Sequence, residues 1–172
     1  MAAVEKLYGP EVSERIRTAA PDGVGDALRY GGIVVGGWYP IEWYRQLWTA
    51  IKEELALDEF AARTLGANAA EISVNRVYRA FARIASPSML LRIASSAFKS
   101  YFDTGDIRVN LEGSHALIAE WRGCTGFDPM IWFDAVGGAT YFLGASGVSE
   151  PKVTILSGGG DEDWLIARGS WR

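Results

Sequence analysis

Near residue 105 the hydrophobic pattern of the chain changes its period, and nothing else in the sequence limits the fold as strongly. Before that point apolar residues recur every three or four positions, the repeat of a helix face. After the break at Thr104-Gly105, Ile107, Val109 and Leu111 alternate with Arg108, Asn110 and Glu112, the repeat of a strand covered on one side. Helices followed by strands predict an α+β domain, with an N-terminal helical layer packed on a C-terminal four-stranded antiparallel sheet. At 172 residues the chain is read as one domain: a helical extension over 1–30, a helical half over 31–105, and a β-β-α-β-β half over 106–172.

Within the helical part, Gly9 to Ala19 reads as a short helix ended by Pro21, Gly23 and Gly25, and Gly31 to Gly37 as an extended connector. Pro40 suits a first helical position, and Ile41, Tyr44, Leu47, Trp48, Ile51 and Leu55 then mark the best amphipathic helix of the front half. Asp58 can cap a further helix through Phe60, Ala61 and Leu65 that is expected to pause near Gly66. Helicity should resume from Ile72 to Ile84, and Ser86-Pro87 opens a last helix whose wide face includes Leu90, Phe98 and Phe102.

In the second half Gly113-Ser114 is a hairpin turn candidate, with Leu117, Ala119 and Trp121 alternating along the next strand. Phe127 to Leu143 returns to helical spacing. Gly137-Gly138 in its middle costs about 1 kcal/mol of helix propensity per glycine, which points to close backbone approach. Strands Lys152–Leu156 and Trp164–Trp171 close the chain. The expected core is Leu47, Ile51, Phe81, Leu90, Phe98, Val109, Leu117, Ile131, Phe142, Val153 and Ile155.

Composition excludes several classes. With 49% hydrophobic residues and a net charge of −4, the chain has too much apolar surface for a disordered segment. One cysteine and one histidine exclude a disulfide scaffold, a zinc finger and an iron–sulfur site. The N-terminus lacks the apolar run of a signal peptide and no stretch reaches membrane-spanning length, so a cytoplasmic protein without membrane insertion is expected. Neither glycine run carries a phosphate-loop pattern.

The segment Trp38-Tyr39-Pro40-Ile41-Glu42-Trp43-Tyr44, the run Ala61 to Gly66, the Ser86-Pro87 helix and the closing hairpin ending at Trp171 resemble an uncharacterised family of paralogues expanded in myxobacteria, over about residues 35–172. The β-β-α-β-β tail behind a helical layer is also similar to haem-NO-binding domains, 4-vinyl-reductase-type ligand domains and Golgi transport-particle subunits. That resemblance implies a fold that holds a haem, an acyl chain or another small hydrophobic ligand, or that dimerises and binds proteins. A haem-NO-binding relative would supply a proximal histidine on a helix and a Tyr-x-Ser-x-Arg triplet. Here the only histidine, His115, follows a turn, and the triplet does not occur.

Four groups of residues stand out as candidate sites. Trp38, Tyr39, Trp43, Trp48, Tyr101 and Trp121 are ligand or interface candidates, because aromatic rings enrich both the core and interfaces. Trp43 and Trp48 lie about 140° apart around a helix and so cannot share one layer. Arg76, Arg79 and Arg83 recur on one helix face in a stretch, 60–102, where six basic residues face Glu71 alone. That face suits solvent or an anionic partner, and is too sparse for nucleic acid. Cys124, in a turn before a helix, is a reactive-thiol candidate if the helix N-terminus favours its thiolate. The acidic turn Asp161, Glu162 and Asp163 reads as solvated, and no metal or other cofactor is expected.

The reading that follows is a non-enzymatic sensory or adaptor domain, in bacterial signalling, binding a small hydrophobic ligand or a protein partner. Its alternatives are a structural homodimerisation module and an enzyme using Cys124.

Overall fold

The computed structural model describes residues 1–34, 36–73 and 94–172. The expected features at Phe81, Leu90, Ser86-Pro87 and Ile72 to Ile84 beyond residue 73 lie outside the described residues, as do Arg76, Arg79 and Arg83. The described part is α+β, with a four-stranded antiparallel sheet.

Three short helices open the chain: α1 (Ala2–Tyr8), α2 (Pro10–Ala19) and α3 (Val24–Arg29). The expected break after Ala19 is brief, and α3 contains Gly25, where a Cβ would collide with the carbonyl of Ala20. Val4, Ile16 and Val24 are buried, one from each helix, which is how such short helices are held. The connector after Tyr30 is not simply extended: it turns at Gly31 and Gly36, both with positive φ, and its described residues pair with no strand. Helix α4 (Ile41–Leu55) turns Trp48, Ala50 and Ile51 into the core.

Helix α5 (Glu59–Ser73) starts as expected, with the Asp58 carboxylate accepting from the Ala61 amide at 2.8 Å. It does not pause at Gly66. The helix passes straight through because Gly66 is a contact point: a Cβ there would lie 2.5 Å from the carbonyl oxygen of Asp134 on helix α6 (Pro129–Ala145). Gly137 of α6 meets Arg63 and Ala67 of α5 in the same way, so the close approach inferred from the glycine pair is real and both helices supply glycines for it. Asp128 caps α6 by accepting from the Ile131 amide at 3.0 Å.

Residues 94–99 are helical and lead into the sheet. Strands β1 (Asp106–Leu111), β2 (Ala116–Arg122), β3 (Lys152–Gly158) and β4 (Leu165–Ser170) lie in the order β1-β2-β4-β3. The register aligns one inner row of side chains: Trp121 between Ile107 and Leu165, Ala119 between Val109 and Ala167, and Leu117 between Leu111 and Gly169. Gly169 leaves room for Leu117 on the neighbouring strand, since a Cβ would sit 3.0 Å from that side chain, with Leu143 of α6 next at 3.4 Å. The opposite face carries the exposed pairs Arg168–Glu112 and Arg122–Glu120.

Trp48, Trp121 and Trp132 are each at most 3% exposed. Rings of this size bury roughly 150–250 Å² apiece, about 4–6 kcal/mol of transfer free energy each before ordering costs. Of the expected core, Ile51, Ile131 and Val153 are buried, while Leu47, Phe98, Val109, Leu117 and Ile155 pack against it partly exposed. At the C-terminal end of α6 it is Leu143, not Phe142, that turns inward.

Candidate functional site

The aromatic candidates do not converge on one place. Trp48 and Trp121 belong to the core, whereas Trp38 and Tyr101 are 61% and 51% exposed. Trp43 is half-buried, stacked on Tyr39 with ring centroids 6.0 Å apart, and Gly23 in the turn before α3 packs against its indole. The N-terminal residues thus cover part of the face that the helical wheel left open. The Tyr39 hydroxyl receives the Val34 amide at 2.7 Å, closing the connector into a loop that leaves Tyr30, Val34 and Trp38 exposed.

A different set of rings does converge. Phe98, from helical residues 94–99, and Phe102 have centroids 5.1 Å apart; Phe102 meets Phe127 at 4.8 Å, and Phe127 meets Trp132 of α6 at 4.7 Å. Tyr44 of α4 joins this cluster at Phe102 and touches Trp48, at 6.4 Å in both cases. The indole N–H of Trp132, fully buried, has no hydrogen-bond partner among the described residues. A buried donor left unpaired costs about 1–3 kcal/mol, so a ligand acceptor reaching it would be rewarded.

At the edge of the rings sits a polar pair. The Tyr44 hydroxyl donates to Oδ2 of Asp134 at 2.7 Å. Burial pushes the Asp134 carboxyl up to about 6, against the opposing pull of that hydrogen bond and of the amino-terminal ammonium. Burial, the Asp134 charge and the hydrogen bond together raise Tyr44 well above the usual phenol range. Sequence reasoning placed Tyr44 only on a helix stripe and passed over Asp134. Its signal was present: Asp134 is the single charged residue in the seventeen of α6.

Cys124 is fully buried behind Gly105, and burial together with Asp163 and Asp106 pushes its thiol up to about 12. The expected lowering by the helix N-terminus does not occur, because α6 starts later and its cap carboxylate, Asp128, already accepts from the Ile131 amide. His115 is exposed in the β1–β2 turn, with Nδ1 2.8 Å from the Ser114 hydroxyl. Asp161 lies at the rim of an open groove of about 630 Å³ lined by Arg45, Lys52 and Asp128. Among the described residues no His, Cys, Asp or Glu group could hold a metal ion, and no helix is long and apolar enough to cross a membrane.

No family model matches the chain, and no curated protein matches it. Solved structures do. An unliganded Fe(II) H-NOX protein from K. algicida aligns with 99% of this chain and 91% of its own, at 14% identity and a TM-score of 0.72. The fold is that of the H-NOX domains. An oxygen-binding H-NOX domain related to soluble guanylate cyclases, in its oxygen complex, covers 99% of this chain and 90% of its own at 12% identity and a TM-score of 0.67. An H-NOX family member in which haem distortion was probed gives 99%, 90%, 11% and 0.68.

The haem that these H-NOX names carry does not fit the residues described. The one histidine is at an exposed sheet turn, outside the ring cluster. Of the oxygen and sulfur groups near the cluster among the described residues, Tyr44 and Asp134 are hydrogen-bonded to each other and burial pushes the Cys124 thiol up to about 12, so none of the three is a ready anionic ligand for iron.

Proposed function

We propose that this chain is a non-enzymatic sensory domain of the H-NOX fold that takes a small apolar ligand other than a histidine-ligated haem. The observation that carries the reading is the ring cluster Phe98, Phe102, Phe127 and Trp132, reached by Tyr44, with a buried indole N–H beside it that has no partner among the described residues. Rings supply apolar contact, and the Trp132 and Trp48 indole donors, both without a partner among the described residues, would fix orientation. The ligand chemistry that this implies is an apolar molecule with a hydrogen-bond acceptor. A place in bacterial signalling is part of this proposal.

A second reading, a domain that docks a protein or a second copy of itself, is favoured by the loop bearing Tyr30, Val34 and Trp38. The third, an enzyme using Cys124, draws no support from a thiol held near 12.

Titration of the purified chain with haem, followed by absorption, tests the central part of this reading. It predicts no one-to-one complex. A stoichiometric complex lost in His115→Ala would overturn it.

A further inference from the structure

Helices α5 and α6 are locked together backbone to backbone at Gly66 and Gly137, whereas α4 and α6 share apolar core packing and are joined by two polar ties. One is the ion pair Arg45–Asp128, at 3.5 Å and open to water. The other is the Tyr44–Asp134 hydrogen bond, partly buried between the two helices. Asp134 is the one charged residue of α6, and its carboxylate is tied to a side chain of α4.

We propose that Asp134 is a proton-operated tie between α6 and α4, in which the charge on the carboxylate sets the direction of the Tyr44 hydroxyl and through it the edge of the ring cluster. The inference rests on this geometry and stands whether or not the ring cluster takes a ligand. An ionised carboxylate is an acceptor only, so Tyr44 must donate to it. A protonated carboxyl can donate to the Tyr44 oxygen, and the phenolic hydrogen is then free to turn away. Tyr44 touches both Trp48 and Phe102, so the change reaches the rings directly.

The surroundings place this event in an accessible range. From α4, Asp134 is faced by Tyr44, with the Trp48 indole acting on that hydroxyl. From the amino terminus it is faced by the Met1 ammonium, itself influenced by Arg17 of α2 and Glu5 of α1. On its own helix Asp128 acts on Tyr44. Helix α5 meets it through the backbone at Gly66, and Arg63 of that helix is engaged with Glu59 and the Val153 carbonyl. Burial outweighs the ammonium and the hydroxyl, leaving the carboxyl at about 6. The folded chain thus holds this proton more tightly than the unfolded one. Its stabilising effect is complete below the ordinary value of 3.8 and is lost as pH rises through about 6.

Side-chain carboxyl NMR of the whole chain between pH 4 and 8, with the Tyr44 ring signals followed in parallel, tests the proposal. One aspartate should titrate near 6, the Tyr44 signals should move with the same midpoint, and both changes should be missing in Asp134→Asn. In Tyr44→Phe the midpoint should rise further, because the hydrogen bond that favours the charged form is gone. Asp134 titrating in the ordinary carboxylate range, Tyr44 signals that ignore its titration, or a midpoint that does not rise in Tyr44→Phe would each overturn the proposal. The wild-type and Tyr44→Phe titrations decide the matter even if Asp134→Asn does not fold.

Discussion

Gly137 and Arg63 meet backbone to backbone: a methyl group at 137 would fall inside the contact distance of the Arg63 carbonyl oxygen and lie 2.9 Å from the Ala67 amide nitrogen. The approach joins α5 to α6 with no side chain between them, and α6 then carries Leu143 onto the sheet at Gly169. This contact gives the glycine pair opposite consequences. Gly137→Ala should cost about 3 kcal/mol, the upper end of ordinary overpacking, because backbone cannot yield as a flexible side chain can. Gly138→Ala meets only the Ala70 methyl at 3.7 Å, and should gain up to about 1 kcal/mol from helix propensity. Urea unfolding of the two variants checks the contrast.

The tryptophans of α4 should separate in the same way. Trp48→Ala, at a site 3% exposed, should cost about 3–5 kcal/mol. Trp43→Ala loses the Tyr39 stack and the Gly23 contact but little full burial, and should cost about 1–2 kcal/mol. Trp38→Ala should leave stability unchanged. If it also lowers the oligomeric mass in sedimentation, the connector loop is a docking surface.

Arg63 was counted with the basic run of 60–102, yet it is three-quarters buried in the fold's own service. Its guanidinium donates to the Val153 carbonyl at 3.0 Å and lies 5.9 Å from the centre of the Phe133 ring. Arg63→Lys cannot reproduce the planar fork, and thermal unfolding should show a loss of about 1–2 kcal/mol.

These cases show what the sequence made legible. The change of period near 105, the Asp58 cap, the inward Ile107 and Val109, and the close approach at Gly137 are written in local spacing, and the structure has them, though Leu111 at the end of the same row is exposed. Passage of α5 through Gly66 was not legible, because a lone glycine reads as a break unless the partner backbone of Asp134 is known. Separation of the aromatic candidates was equally hidden, since ring composition says nothing of which rings meet. The rings that converge, Phe98, Phe102, Phe127 and Trp132, come from segments brought together by the sheet and α6, and Asp134 was visible only as one charge in an apolar helix.

The Cys124 thiol, pushed up to about 12, should be nearly inert. Thiol labelling of the native chain at neutral pH should run at least about a hundredfold slower than for a free cysteine, and recover in urea. Rapid native labelling would restore the enzyme reading.

Native mass spectrometry of the chain, expressed in haem-replete cells and purified without added ligand, tests the account most directly. It predicts a one-to-one complex with an apolar molecule that carries a hydrogen-bond acceptor and is not haem. One haem per chain, or a chain that retains nothing, would contradict it.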